Sequence, residues 1–400
     1  MTGAYPYRLA SILACLTLLA SAGSSQLQQQ SPGQRAEELY RVHDRANKTG
    51  FIDRTGKLVI GFDRLPPATI FVRDFREGLA VIHLKEADSE SASGTGYKAG
   101  YIDETGRVSI APRFDSAYDF SEGLAYAEAG GQRGFINRRG EFVIRLEGEV
   151  RASLLRGAVG FQDGLAAVTT PRGEGFIDRT GRVVIDGYAA AARFSEGLAP
   201  VAVGAGERGR YGFINAKGEM VIAPRFEPVV KYYVHIDQMA HFSEERARVR
   251  VGDLYGYIDR RGEFVVKPQF IRADDFSEGL ACVVLGEKTG YIDRAGRWVV
   301  ALRFAPHPGG KFREGLAPAA FKTAHGTKWG YIDRRGRVVV EPRFDSAGEF
   351  DDRGVARVYE VRDPASTHES RWGYIVKSGE YLWEPRSGPK VRLDVNIYSR

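Results

Sequence analysis

One phrase, Gly-aromatic-Ile-Asp/Asn-x-x-Gly, constrains this chain more than any other feature, because it returns eight times. The copies begin at Gly50, Gly100, Gly134, Gly175, Gly212, Gly256, Gly290 and Gly330. A ninth, degraded copy runs from Gly373 to Gly379, with Val376 in the place of the Asp. Successive starts are 34 residues apart at the closest, Gly100 to Gly134, and 50 at the widest, Gly50 to Gly100. Self-similarity at such a period marks an array of small units, none of which buries enough surface alone.

Two shorter phrases lie between these starts. Phe-x-Glu-Gly-Leu-Ala is clear at Phe75, Phe120, Phe194, Phe276 and Phe312, with variants at Phe161 and Phe350. The copy at Phe242 carries Glu245-Arg246 where the others have Gly-Leu. Pro-x-Phe follows at Pro112, Pro224, Pro268 and Pro342.

Each phrase has a mechanical reading. Gly256 to Asp259 ends one strand, Glu263 to Val266 begins the next, and Asp259-Arg260-Arg261-Gly262 is the turn between them. An Asp opening a turn accepts a bond from backbone a few residues on. Gly at the fourth place suits a left-handed residue closing a type I turn. Asn137 and Asn215 replace Asp in two copies. Asn keeps the carbonyl oxygen and loses the charge, which suits a turn cap and not a metal ligand or catalytic acid. The aromatic residue and the Ile are adjacent, so they point to opposite faces of a strand and both faces need cover. Stretches such as Leu280 to Val283 supply a third strand, and the Phe ahead of Glu-Gly plugs the gap between repeats. Glycine is abundant, 48 residues beside 17 prolines and without a triplet pattern. That fits frequent tight turns rather than collagen or a flexible linker.

These phrases resemble the WG-containing repeat family. The Trp-Gly start stands at Lys328-Trp329-Gly330-Tyr331-Ile332-Asp333 and at Arg371-Trp372-Gly373-Tyr374-Ile375. Elsewhere the Trp place holds other residues, as in Thr289-Gly290. The resemblance runs from about residue 49 to 380. It implies a repeat module that serves as an interaction surface and carries no catalytic residues. The expected fold is all-β, a tandem β-hairpin repeat array, solenoid-like, with three short strands per unit. A closed β-propeller is the alternative, set second because each unit shows three convincing strands rather than four.

Residues 1–22 read as an export signal. Arg8 is the positive flank, Leu9 to Ala20 is almost wholly apolar, and Ala20-Ser21-Ala22 is a cleavage site giving a mature start at Gly23. The apolar run is too short for a membrane span, and no transmembrane segment is expected in the mature chain. Leu13-Ala14-Cys15 offers lipid anchoring at Cys15 as a minor alternative. The expected location is the periplasm or the extracellular space. Cleavage removes Cys15 and leaves Cys282, so no intramolecular disulfide is expected. Cys282 lies in the apolar run Leu280 to Val284 and reads as a small core residue. Residues 23–48 are a leader or N-terminal cap, and 381–400 a tail or C-terminal cap.

The formal net charge is +6, with both signs interspersed, so no nucleic-acid partner is expected. No zinc spacing, nucleophile elbow or phosphate loop is present among the motifs, and neither cofactor nor metal nor catalytic residue is expected. The fifth repeat is the least regular. Its expansion from Pro228 to His241 reads first as an inserted strand. Loops added to a regular scaffold often carry binding, which makes Tyr232, Tyr233, His235 and His241 a candidate ligand platform. The expected function is an exported repeat protein presenting an extended binding or scaffolding surface for a protein, peptide or cell-wall glycan. The alternatives are a purely structural envelope component and a cell-wall hydrolase whose residues converge from separate repeats.

Overall fold

A computed structural model describes residues 39–44, 46–86, 96–153, 159–204, 209–227, 240–305, 310–324, 326–361 and 370–384. The export signal, Cys15 and most of the insertion in the fifth repeat, including Tyr232, Tyr233 and His235, lie outside these residues. Among the described residues no helix is long and apolar enough to cross a membrane.

The described residues form nine antiparallel sheets whose strands pair in chain order, apart from the short strand Phe161–Gln162 in the fourth. They are numbered here as blades: 1 (Tyr40–Ile60), 2 (Thr69–Phe114), 3 (Ser116–Arg145), 4 (Arg151–Tyr188), 5 (Ala190–Phe226), 6 (Phe242–Phe270), 7 (Arg272–Phe304), 8 (Leu316–Phe344) and 9 (Ser346–Trp383). The degraded ninth copy of the phrase is therefore part of a complete four-stranded blade.

The turn reading holds in atomic detail. Asp53 Oδ1 accepts from the backbone N–H of Thr55 at 2.8 Å and of Lys57 at 3.1 Å. Asn137 Oδ1 does the same with Arg139 at 2.9 Å and Glu141 at 3.1 Å. The Gly that opens the phrase has a different task. Opposite it the following strand bulges, as between Tyr211 and Phe213, and drives a carbonyl inward. A Cβ on Gly212 would lie 2.1 Å from Ile222 O, and one on Gly175 would lie 2.1 Å from Ile185 O. These glycines let two backbones approach, rather than turning the chain.

Packing runs between blades. Tyr101 and Ile102 are both fully buried because one faces the next blade and the other the previous one. The Phe of each Phe-x-Glu-Gly phrase meets the aromatic ring of the preceding blade's Gly-aromatic-Ile. Ring centroids at the eight seams from Phe51–Phe75 to Tyr331–Phe350 lie 4.7 to 5.0 Å apart. The core clusters straddle these seams: Phe51 and Ile60 of blade 1 join Val72, Phe75, Ala80 and Ile82 of blade 2.

The ninth seam joins blade 9 to blade 1. Tyr374 stacks on Tyr40 at 5.3 Å and donates to Arg41 O at 2.9 Å, across 333 residues of sequence. Tyr40 occupies the register position that is Ala80 or Ala125 in blades 2 and 3. Its hydroxyl donates to Asp351 Oδ2 at 2.7 Å. A Cβ on Gly56 would meet Leu382 O at 2.6 Å, just as one on Gly106 would meet Ile60 of the previous blade. The array is therefore a closed nine-bladed β-propeller.

This corrects the expected open, solenoid-like array of three-stranded hairpin units. The extra strand of several blades is a two-residue ladder, such as Ser116–Ala117, Ala190–Ala191 or Arg272–Ala273. A segment that short shows no alternation and reads as loop. Closure rests on one pair of faces at opposite ends of the chain, which no local pattern announces.

Two substitutions test the closure and the bulge. Tyr40→Ala removes a stacked ring and a hydrogen bond, and is expected to lower stability by about 3 kcal/mol in urea unfolding. An open array would lose far less at a terminal unit. Gly175→Ala is expected to cost about 3 kcal/mol or more from overpacking alone, whereas an alanine at half-buried Gly123, with nothing within 4 Å of its Cβ, should cost only its left-handed backbone strain, about 1 kcal/mol.

Candidate binding surface at the inner rim

The Phe-x-Glu-Gly turns are two-residue hairpins. Arg76 pairs with Leu79, and between them Glu77 (φ 48°) and Gly78 (φ 81°) are both left-handed, as a type I′ turn requires. Glu is an uncommon residue in that conformation. Here its carboxylate accepts a backbone N–H from the next blade's turn: Gly123 on Glu77 at 2.9 Å, Gly279 on Glu244 at 2.8 Å, Gly315 on Glu278 at 3.0 Å. The serine of the phrase donates to the next blade's Phe carbonyl. Ser121 to Phe161, Ser195 to Phe242, Ser243 to Phe276 and Ser277 to Phe312 all measure 2.7 Å. From the next blade's Asp-x-x-Gly turn an arginine returns the contact, Arg179 to Glu122 O and Arg260 to Glu196 O, each at 2.9 Å.

Equivalent atoms of successive blades in a closed ring come closest near its axis. Direct bridges between copies therefore place these turns at the inner rim. The residue just before the Phe is not fixed along the chain: Asp74, Asp119, Gly160, Arg193, His241, Asp275, Lys311 and Glu349. Neighbouring members touch. His241 Nε2 lies 3.2 Å from Asp275 Oδ2, Lys311 Nζ lies 3.0 Å from the same oxygen, and Lys311 donates its backbone N–H to Glu349 Oε1 at 3.2 Å. Arg248 Nε of blade 6 lies 3.2 Å from Asp275 Oδ1. Arg41 repeats that arrangement on Asp74 at 3.2 Å.

Asp275 is the centre of the cluster. Its side chain is 5% exposed, against 28% for His241 and 30% for Lys311, so both overlie a buried acid. Burial opposes its ionisation, but Arg248, His241 and Lys311 outweigh it and hold the carboxyl well below the usual carboxylate range. Its neighbour Asp274 is shifted the other way. Burial raises its pKa against the pull of Arg248, and its Oδ2, shut off from solvent, accepts no hydrogen bond. His43, at the closing seam, is pushed down to about 4 by burial and by Arg41 and Arg357. Among the described residues no group of three or more His, Cys, Asp or Glu side chains is placed to hold a metal ion.

Of the four residues singled out in the sequence, His241 is the one described, and it sits in this rim cluster. Tyr232, Tyr233 and His235 are outside the described residues. Sequence reasoning missed Asp275, Lys311 and Arg248. The signal available was variation at one register position beside a constant Phe.

The WG containing repeat family matches residues 100–132, 175–205, 211–229, 255–288 and 329–360. The chain belongs to the WG-containing repeat family. No curated protein matches this WG-repeat protein. Among solved structures, a eukaryotic initiation factor superposes with a TM-score of 0.60 at 12% identity, covering 89% of this chain and 99% of that one. Porphyromonas gingivalis dipeptidyl peptidase 4 gives 0.44 at 10% identity, over 87% of this chain and 58% of that one. Citrobacter koseri AztD gives 0.41 at 12% identity, over 88% and 95%. The initiation factor shares the fold of the WG-repeat protein; at 12% identity the likeness goes no further.

Opposite responses are expected at the two aspartates. Asp275 has a depressed folded pKa, so its contribution is full above the unfolded value near 3.8 and fades as pH falls through the folded one. Asp275→Asn should cost about 3 kcal/mol at pH 7, by leaving Arg248 unpaired, and the deficit should shrink below about pH 4. Asp274, with its raised pKa, is a burden once ionised. Asp274→Asn should therefore leave stability unchanged or raised at pH 7. Chemical denaturation at pH 7 and pH 3 checks both.

Proposed function

We propose that this WG-repeat protein is an exported, non-catalytic scaffold, with the ring as a rigid support and the inner rim as the surface that meets other molecules. One observation carries the reading. The polar side chains that repeat from blade to blade are committed to the scaffold: serine and glutamate across the seams, aspartate and asparagine within their own turns. The rim position beside them is Asp in three blades and Gly, Arg, His, Lys or Glu in five others, so the repeats supply architecture and the rim supplies individuality. Residues 1–22, with their apolar run and Ala20-Ser21-Ala22, support export.

A purely structural role has its own support. Asp275 is engaged by Arg248, Lys311 and His241 of the same protein, which is what an interlocking rim requires without any ligand. The binding reading rests more on exposed Arg193 in the neighbouring blade and on the insertion that precedes His241.

Expression in a bacterium with amino-terminal sequencing of the exported product should give Gly23 as the first residue. The purified mature protein should be retained on cell-wall glycan or a partner peptide without releasing soluble fragments, and Arg193→Glu should weaken retention with unchanged thermal unfolding. Release of fragments would contradict the non-catalytic reading. Retention by neither ligand class, in a fully folded protein, would favour the structural role.

A further inference from the structure

At four of the seams the outer ends are built alike. A Phe closing the last strand of one blade meets an aromatic residue from the last strand of the next: Phe114 with Phe142 at 6.2 Å, Phe226 with Phe264 at 6.2 Å, Phe270 with Trp298 at 6.1 Å, Phe344 with Tyr381 at 6.3 Å. Where an arginine precedes that Phe, its guanidinium donates to the carbonyl of the next blade's turn glycine. Arg113 reaches Gly140 O at 2.8 Å, Arg343 reaches Gly379 O at 2.6 Å, and Arg225 bonds Gly262 O.

The seam between blades 7 and 8 departs from this on three counts. The register position held by Phe142, Phe264, Trp298 and Tyr381 is here Val338, a smaller side chain that stands 40% exposed. Phe304 turns instead to Phe321 on the lengthened hairpin Leu316–Asp333, with centroids 5.3 Å apart. Arg303 lies 5.1 Å over the Phe304 ring and makes neither the glycine bond nor an ion pair among the described residues. The space so opened is about 310 Å³ and is lined by Arg303, Phe304, Phe321, Arg335, Arg337 and Val338. Arg337 is paired with Asp333 at 2.7 Å. The Arg335 guanidinium, like that of Arg303, forms no ion pair among the described residues. The result is a ligand-sized concavity with an apolar floor and two uncommitted guanidinium groups at its edge.

We propose that this pocket binds a small anion, a carboxylate or phosphate, carried on an apolar group. The guanidinium forks of Arg303 and Arg335 match the oxygen pair of such an anion. The apolar arm takes the place against Phe304 and Phe321 that an aromatic side chain fills at the four seams above. The assignment does not depend on the inner-rim cluster around Asp275, none of whose residues lines this pocket.

The probes are phenyl phosphate, benzoate and inorganic phosphate, each titrated into the mature protein by calorimetry and by chemical-shift perturbation at low and high salt. Binding of phenyl phosphate or benzoate is expected, weaker at high salt. Preference between these two distinguishes phosphate from carboxylate. Arg303→Gln and Arg335→Gln should each weaken the better probe about tenfold or more, as loss of a charge-assisted contact does. Val338→Phe should fill the pocket and abolish binding while leaving thermal unfolding unchanged or raised. Arg113→Gln, at a seam already closed by Phe142, should bind like the parent. Absence of binding by all three probes would overturn the proposal, as would equal binding in every variant. Inorganic phosphate binding as well as phenyl phosphate would overturn the apolar arm, and with it the ligand class.

Discussion

The contact on which the rest of this protein depends is the aromatic step from one blade to the next. A sheet of three or four short strands with apolar side chains on both faces is not stable in water alone. Each Phe of a Phe-x-Glu-Gly turn lies against the preceding blade's ring, and burying a side chain of that size contributes about 1.5–3 kcal/mol. Because every blade needs a neighbour on both sides, an open row would leave two bare faces. Closure removes them, and Tyr40 is the adaptation that permits it: a large ring, where eight other blades carry alanine, meets Tyr374.

Hydrogen bonds then set the register of what stacking holds. Glu in a left-handed turn is strained by about 1–2 kcal/mol, and the same conformation aims its carboxylate at the neighbouring turn's N–H. Blade 6 shows how far this arrangement outranks local preference. There both turn residues are glutamates, Glu244 at φ 52° and Glu245 at φ 63°, yet both backbone N–H groups still bond Glu196, at 2.6 and 3.0 Å. A fully left-handed non-glycine turn persists because the seam over-determines it.

Regularity at the seams has a consequence for function. A side chain that recurs in every blade is held by its neighbours, so individuality is confined to places where the pattern breaks. The rim series from Asp74 to Glu349 is one such place, and the seam at Val338 is another. The two differ in kind. At the rim, unlike charges have been brought together and satisfy one another. At Val338 an apolar partner is missing, and two guanidinium groups beside the gap are left uncommitted.

Much of this was legible in the residues. The repeat, its turn chemistry, the covering of both strand faces and the plugging role of the Phe all follow from period-two alternation, the Asp-x-x-Gly spacing and the Asp-to-Asn exchanges. These are local relations, and the backbone enforces them within a few residues. The need for glycine opposite the strand bulge was not legible, because it depends on a carbonyl in the next strand. Nor was the company of Asp275, whose partners come from the blades on either side of its own. Above all, the sequence by itself determined a stacked β-repeat protein, while only the tertiary structure decided that the stack closes into nine blades. Closure is set by the angle each seam imposes, summed around the ring until residue 374 meets residue 41, and no single repeat contains that sum.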